Sequence, residues 1–237
     1  MSKAKKEIVD WKAALAAQAQ EIKKNAGGGA FISLKGGRMS YEDKYLDDGI
    51  QCVIIGHTFL RSYYEGAYQA GSVVPPNCFS IAQDRRHMVP HENVPSPVND
   101  VCASCPNAEF PKGGGAPLCK TRVRLAVAPV SDGTSADAIK SAQVAHVTLP
   151  PTSIKPWVDY VTALAEQGLA PWAVKTLFKF EGSPSKPWGM ASFEAVAPLG
   201  GDAVMAAAFS RLDEGEALIV KPYTYDYKEG VDTSRYS

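Results

Sequence analysis

The sequence has no excess of charge of either sign: Lys and Arg number 25, Asp and Glu 25, for a formal net charge of zero over 237 residues. That excludes a histone-like polycation and a polyacidic tail protein, and leaves room only for a local basic patch. There is no apolar run near the roughly 20 residues that a membrane-spanning helix needs. Residues 1–24 lack a signal-type hydrophobic segment, because Lys12, Gln18, Gln20 and Glu21 interrupt the apolar positions. The expectation is a soluble, intracellular chain. Catalytic signatures are missing too: no Walker-type Gly-x4-Gly-Lys-Ser/Thr, no Gly-x-Ser-x-Gly elbow and no His-Glu-x-x-His. Gly113-Gly114-Gly115 runs on into Ala-Pro-Leu, a flexible turn rather than a phosphate cradle. The acids are scattered without a persuasive carboxylate pair, so nothing points to an enzyme.

What is present is ordinary globular material. Apolar residues make up 45 % and charged residues 21 %, enough for a core and against wholesale disorder. The 20 glycines and 17 prolines favour strands and loops over a helical bundle. Residues 5–24 read as a lysine-rich helix, with Ile8, Trp11, Leu15 and Ile22 near helical spacing and Gly27-Gly28-Gly29 ending it. Residues 1–29 are therefore an N-terminal arm. Strand patterns follow over 30–35, a turn at Gly36-Gly37, and a run over 51–60 that buries Cys52 among Val53, Ile54 and Ile55. Further strands are expected over 121–129, 143–150, 173–180, 189–198 and 217–223. A helix after Pro151 carries Trp157, Tyr160, Val161 and Leu164 on one face and stops at Gly168. A short helix is expected over about 202–212, and a loose polar tail over 224–237. The pattern is mainly β (α+β): a small, partly open barrel with one or two short helices, over residues 30–223.

Residues 82–120 break that pattern, rich in Pro and Gly and almost without periodicity. Structureless stretches of this length are functional or held by something. Cys78, Cys102, Cys105 and Cys119, with gaps of 23, 2 and 13 residues, bracket an insertion of about 75–120. Cys102-Ala-Ser-Cys105 forms a knuckle whose two thiolates point at one ion, and the outer pair completes a four-sulfur site. This is the usual arrangement of structural zinc, closed to water and without catalysis. Alternatives are an iron–sulfur cluster on the same thiolates, a thioredoxin-like redox pair, or unrelated free thiols. His87 and His91 lie between the first two cysteines and could each replace a ligand.

Cations gather around this stretch. Lys112, Lys120, Arg122 and Arg124 occur with no acid between them, and Arg122 and Arg124 alternate on one strand face. Lys35, Arg38 and Tyr41 flank the Gly36-Gly37 turn; Arg61, Tyr63, Tyr64 and Tyr68 form a second mixed cluster. Cations for a backbone and flat rings for bases are what a single-strand groove requires. Each tyrosine alone is equally well read as a half-buried strand residue.

Four motifs carry a family resemblance: Pro75-Pro-Asn-Cys78-Phe-Ser80, Cys102-Ala-Ser-Cys105-Pro-Asn107, Cys119-Lys-x-Arg-x-Arg124, and Leu149-Pro-Pro-Thr-Ser-Ile-Lys-Pro156. Together they resemble a group of bacteriophage and prophage proteins associated with single-stranded-DNA binding. The chain is more distantly similar to the zinc-containing single-stranded-DNA-binding proteins of T-even phages, an OB-fold family with a metal-held insertion. The resemblance implies an OB-like barrel, one structural Zn2+, and sequence-tolerant binding of single-stranded DNA in phage replication or recombination, in the cytoplasm of a bacterial host. It implies replication or recombination proteins as partners. Two departures stand out: the T-even family uses one histidine and three cysteines where four cysteines occur here, and its acidic tail is only weakly matched by Asp226, Glu229 and Asp232. A zinc-stabilised protein-interaction module and an iron–sulfur protein of nucleic-acid metabolism are the competing functions.

Overall fold

The computed structural model describes residues 30–42, 44–66, 74–130, 134–183, 186–223 and 225. The helix expected over 5–24 lies outside them, as do Tyr68 and all of the 224–237 tail except Tyr225. The chain forms two compact units: Met1–His57 with Val123–Ile219, and Thr58–Arg122 with Val220–Ser237. The strands in chain order are β1 (Ala30–Lys35), β2 (Arg38–Tyr41), β3 (Lys44–Tyr45), β4 (Ile50–Tyr63), β5 (Cys78–Ala82), β6 (Lys120–Pro129), β7 (Ala145–Leu149), β8 (Val174–Ser183) and β9 (Lys186–Pro198). The unit boundaries fall inside β4 and β6. The class is α+β, dominated by strands.

In the first unit the sheet order is β3-β2-β1-β7-β6-β4-β8-β9. The β1–β7 pair is parallel. The β1–β2, β2–β3, β4–β8, β6–β7 and β8–β9 pairs are antiparallel. The β1–β2 turn is closed by Lys35 opposite Arg38, with Gly36 at φ 60° and Gly37 at φ 75°. A two-residue hairpin with both central residues at positive φ matches strand twist, and glycine adopts it without a Cβ clash. Val53, Ile54 and Ile55 are all buried, as a strand covered on both faces requires.

Four α-helices occur among the described residues, more than the one or two the sequence pattern suggests: α1 (Ala136–Ser141), α2 (Ile154–Glu166), α3 (Asp202–Phe209) and α4 (Leu212–Ile219). On α2 the buried residues are Ile154, Trp157, Tyr160 and Leu164, the stripe anticipated from their spacing. Trp157 and Tyr160 close on Phe193 of β9, at 5.3 and 5.5 Å between ring centres, and Phe193 stacks on Phe178 of β8 at 5.2 Å. Gly168 ends the α2 region at φ 70°. The Pro-Pro-Thr-Ser motif ahead of α2 has a structural use. Thr152 Oγ1 donates to the Gly189 carbonyl at 2.7 Å, and Ser153 Oγ accepts from the Ala191 N–H at 2.8 Å. Two side chains thus clamp β9 through its backbone.

One strand expectation is overturned. Residues 217–219 of the expected final strand are the end of α4, and 220–223 extend without strand pairing. A short apolar run such as Ala217-Leu-Ile-Val is ambiguous between strand and buried helix. Here longer-range packing decides, because Gly215 and Ile219, one helical turn apart, are both buried. Gly215 approaches so closely that a Cβ would meet Ile55 Cγ1 and the Ile55 carbonyl oxygen at 2.9 Å. Arg211, just before α4, donates from Nε to Glu214 at 2.7 Å. Its Nη atoms donate to the carbonyls of Ile139, Lys140 and Ala142. A cation there satisfies the carbonyls that the end of α1 leaves over.

Two outcomes follow from this unit. Ser153→Ala leaves the buried Ala191 N–H without its partner and should cost about 1–3 kcal/mol, read as a lower urea midpoint; an unchanged midpoint would show that the clamp contributes nothing. The second outcome concerns pH. His57 lies 5.3 Å from Trp157, and His146 lies 5.0 Å from Phe31 with Nδ1 buried and unpartnered. Burial lowers both imidazole pKa values, and the Arg124 charge adds to this at His146. Unfolding releases both to their ordinary value of 6.5, so the unfolded chain binds more protons and stability falls as pH drops below that value. Urea midpoints should decline from pH 7.5 to 5, and the decline should shrink in a His57→Gln/His146→Gln variant. An identical slope in that variant would place the titration elsewhere.

Candidate functional site

The second unit is organised by one hairpin. The last five residues of β4 pair antiparallel with β5: Phe59 opposite Ala82, Leu60 opposite Ile81, Arg61 opposite Ser80, Ser62 opposite Phe79, and Tyr63 opposite Cys78. Residues directly opposite share a face, and neighbours along a strand alternate. Arg61, Tyr63, Cys78 and Ser80 therefore occupy one face, and Ser62 and Phe79 the other. On the second face Phe79 stacks on His91 at 4.8 Å and meets Tyr223 edge-on at 5.0 Å. Ser62 accepts a hydrogen bond from Arg122 Nη1 at 3.3 Å. Tyr225 also packs here, 6.3 Å from Phe79, and its hydroxyl donates to the Pro76 carbonyl.

The first face carries the cysteines. Cys78, Cys102, Cys105 and Cys119 all line one small cavity of about 10 Å³, with Tyr63, Pro90, Val98, Asn99 and Asn107. That volume suits one water-sized body. Between β5 and β6 the chain has only 3-10 turns, at Arg85–His87, Cys102–Ser104 and Pro106–Ala108. Backbone bonds place the sulfurs: Cys102 N–H donates to Met88 O at 3.1 Å, and Cys119 N–H to Asn107 O at 2.7 Å. Asn99 Nδ2 donates to Val101 O and Ser104 Oγ, at 3.0 and 3.1 Å, bracing the knuckle. None of the five cysteines is in a disulfide. Cys52, wholly buried on β4, is a core residue whose thiol is pushed up to about 12.

Burial raises the Cys102 thiol, and the Ser80 hydroxyl and Arg61 charge partly oppose it. Burial also pushes Cys119 up to about 11, with Arg61 again opposing and the other three thiols adding to the rise. A set of thiols that disfavour one another's ionisation is a set that a dication would pull into the thiolate form. Among the described residues no three His, Cys, Asp or Glu side chains stand ready as a metal-holding group. The donor set nonetheless fits a thiophilic ion, being four sulfurs on one cavity with no carboxylate or imidazole lining it. The histidines do not compete. His87 Nδ1 pairs with Asp84 at 2.9 Å, and His91 Nδ1 accepts from the Asn93 N–H at 3.1 Å.

The cations divide into internal and exposed. Arg61 Nη1 donates to the Cys102 carbonyl at 2.6 Å, and Arg122 bonds Ser62. Arg124, in the first unit, donates to Ile219 O at 3.0 Å. These three are partly buried in packing that the sequence pattern had offered to a nucleic acid. Lys112 and Lys120 are exposed, Tyr63 lines the cysteine cavity, and Tyr64 is exposed. In the first unit Lys35 and Arg38 are exposed and Tyr41 is half-buried. Burial, then the Glu42 charge, raises the Tyr41 phenol pKa. Arg38 also has a partner that the sequence reading overlooked: its guanidinium lies 3.7 Å over the centre of the Tyr45 ring. Tyr45 is 61 % exposed, and Arg38 pairs with exposed Asp47 at 3.1 Å.

Other functional candidates were also missed. Ser80 follows Cys78 by two residues, so strand alternation alone would have set it on the thiol face. Phe110, 77 % exposed, is a lone aromatic in a Gly- and Pro-rich stretch, and that isolation was its signal. Compared with models of known protein families, with curated proteins and with solved structures, the chain matches none.

Proposed function

We propose that this chain is a sequence-tolerant single-stranded-DNA-binding protein of phage type, its irregular loop held by one zinc ion on Cys78, Cys102, Cys105 and Cys119. The observation that carries the reading is the Arg38–Tyr45 stack: a solvent-facing ring with a guanidinium on its face, with exposed Lys35 directly opposite Arg38. Rings that take a base and cations that take the backbone are the two parts of a single-strand platform. The phosphate contacts assigned are Lys35 and Arg38, and the stacking residue is Tyr45; Tyr41 and Lys44 leave the list because they pair on the opposite strand face, the one that carries buried Ile32 and Met39. Arg61, Arg122 and Arg124 leave this list because their guanidinium groups hold the protein's own carbonyls and hydroxyl. An OB-like arrangement of the first unit's sheet belongs to the same proposal. Zinc supplies a cross-link among four thiolates and no reaction; the cysteines would hold it, and Asn99 would orient the knuckle.

The binding test is fluorescence anisotropy on a labelled oligonucleotide. Affinity should favour single over double strands and fall with salt, with a log–log slope of about −0.7 for each phosphate neutralised. Tyr45→Ala should remove one stack, about 1–3 kcal/mol, or roughly 5- to 150-fold in Kd. Equal affinity for duplex, or no salt dependence, would sink the reading. The metal is tested separately. Chelation, or a Cys102→Ser/Cys105→Ser variant, should open residues 83–119 to protease, with one zinc per chain lost. Protease resistance that survives metal removal would count against the cross-link, and visible brown absorption in the isolated protein would replace zinc by an iron–sulfur cluster.

One observation favours a second reading. Val89, Val98, Val101, Phe110 and Leu118 are all exposed on the loop unit, as a protein-docking module would require. Nuclease treatment before pull-down separates the two, because partners bridged by DNA vanish and direct ones remain.

A further inference from the structure

Among the described residues, the cysteine face of the β4–β5 hairpin carries two buried polar atoms that lack a good acceptor. Arg61 Nε is buried without a hydrogen-bond partner, and Ser80 Oγ, buried beside it, has only the Cys102 thiol to bond. They are cross-strand neighbours, directly opposite in the register, and they share their face with Cys78, two residues along β5. Arg61 is anchored at its far end, where Nη1 donates to the carbonyl of Cys102, itself a cavity cysteine. Burying a donor without an acceptor costs free energy, and burying a guanidinium without a counter-charge costs more. Native structures rarely keep such a donor buried unless an acceptor arrives. Among the described residues, the other polar groups on this face are the Tyr63 phenol and the sulfurs of the cavity. A thiol is a poor acceptor, whereas a thiolate held by a metal is a good one.

We infer that Arg61 and Ser80 are outer donors to the thiolates of a metal site on Cys78, Cys102, Cys105 and Cys119, and that Arg61 is the fixed countercharge that lets a four-thiolate site exist at this depth. The inference rests on the metal reading above. Charge arithmetic gives the physical reason. A dication on four thiolates leaves two net negative charges, and one permanently protonated guanidinium halves them. The Nε–H then finds an acceptor, and the Ser80–Cys102 contact gains a charged one. Partners of this kind set the affinity of a site as well as its orientation. Arg61 is thus a positioning and charge-balancing residue, and its cationic character is already committed before any nucleic acid is considered.

The test measures zinc on the full-length protein with a chromophoric chelator, alongside metal analysis and circular dichroism of each loaded variant. Arg61→Gln should weaken zinc retention about 10- to 100-fold and speed zinc release, with one zinc still bound at saturation. Ser80→Ala, the smaller change, should shift retention in the same direction by a lesser factor. It also decides the matter if Arg61→Gln fails to fold. Arg85→Gln removes a charge from an exposed turn of the same unit and should leave retention unchanged. In cobalt-loaded protein the thiolate-to-metal charge-transfer band should move in Arg61→Gln and Ser80→Ala and stay in place in Arg85→Gln. If wild type binds no stoichiometric zinc or cobalt, the metal reading fails and this inference falls with it. If wild type binds one zinc, and Arg61→Gln and Ser80→Ala retain it as tightly with unshifted bands, the metal reading stands and the outer-donor role is overturned.

Discussion

Residues 83–119 run from the end of one strand to the start of another with only single 3-10 turns between them, and this sets the physical problem for the second unit. A helix satisfies its own backbone and a strand bonds along its neighbour; such a stretch does neither. Its buried apolar side chains are few, chiefly Met88, Val94, Cys102 and Cys105. The chain answers with isolated backbone bonds to fixed points: His91 N–H to Phe79 O, Cys102 N–H to Met88 O, Cys119 N–H to Asn107 O. Each closes a long loop, and a loop closed by one weak bond opens readily. Four thiols on one cavity are the one feature that joins the start, middle and end of the stretch. Whatever binds them would act on the whole loop at once, and for that reason the metal proposal and the stability of this unit are a single question.

The same problem explains what happened to the arginines. A flexible, acid-free run of cations looks in sequence like a surface waiting for phosphate. In a unit short of regular structure, however, long side chains with several donors are the cheapest means of satisfying stray carbonyls. Arg61 holds Cys102 O, Arg122 holds Ser62, and in the first unit Arg211 collects three carbonyls near the end of α1. The Asp84 carboxylate does the converse at its own turn, accepting from Arg86 and pairing with His87, and these bonds hold its pKa well below the usual range.

The fold was legible where local pattern and packing agreed. The glycine pair at 36–37, the buried run of β4, the α2 stripe from Trp157 to Leu164 and the barren 82–120 segment each had a periodicity, or a lack of one, that no tertiary contact contradicted. It was illegible where identity was local and the deciding contact was distant. Ala217-Leu-Ile-Val carries strand propensity, yet its first three residues end a helix whose Gly215 packs closely on Ile55. The cysteine spacing pointed at a shared site, and the four side chains do line one cavity. Of its neighbours, Ser80 could have been placed by strand alternation, whereas Asn99 was invisible because an amide becomes meaningful only once its partners are known. Tyr45 was overlooked for a similar reason, since its value comes from Arg38 lying over its face.

Net neutrality takes on a different meaning once these arginines are placed. Formal charge counts Arg61, Arg122, Arg124 and Arg211 on a par with Lys112, but the four guanidinium groups are directed at internal acceptors. The exposed cations named at the proposed interface are Lys35 and one arginine, Arg38, and that arginine already covers a ring. Lysine presents a point charge without the planar fork that reads a base edge or clamps a phosphate in two places. A surface of that kind follows a backbone without registering its sequence, and stacked rings add affinity without choosing a base. Sequence tolerance in the proposed function would then follow from where the arginines went. Arg61, Arg122, Arg124 and Arg211 are taken up by the protein's own carbonyls and hydroxyl, and the charge that remains at the proposed surface is the less demanding kind.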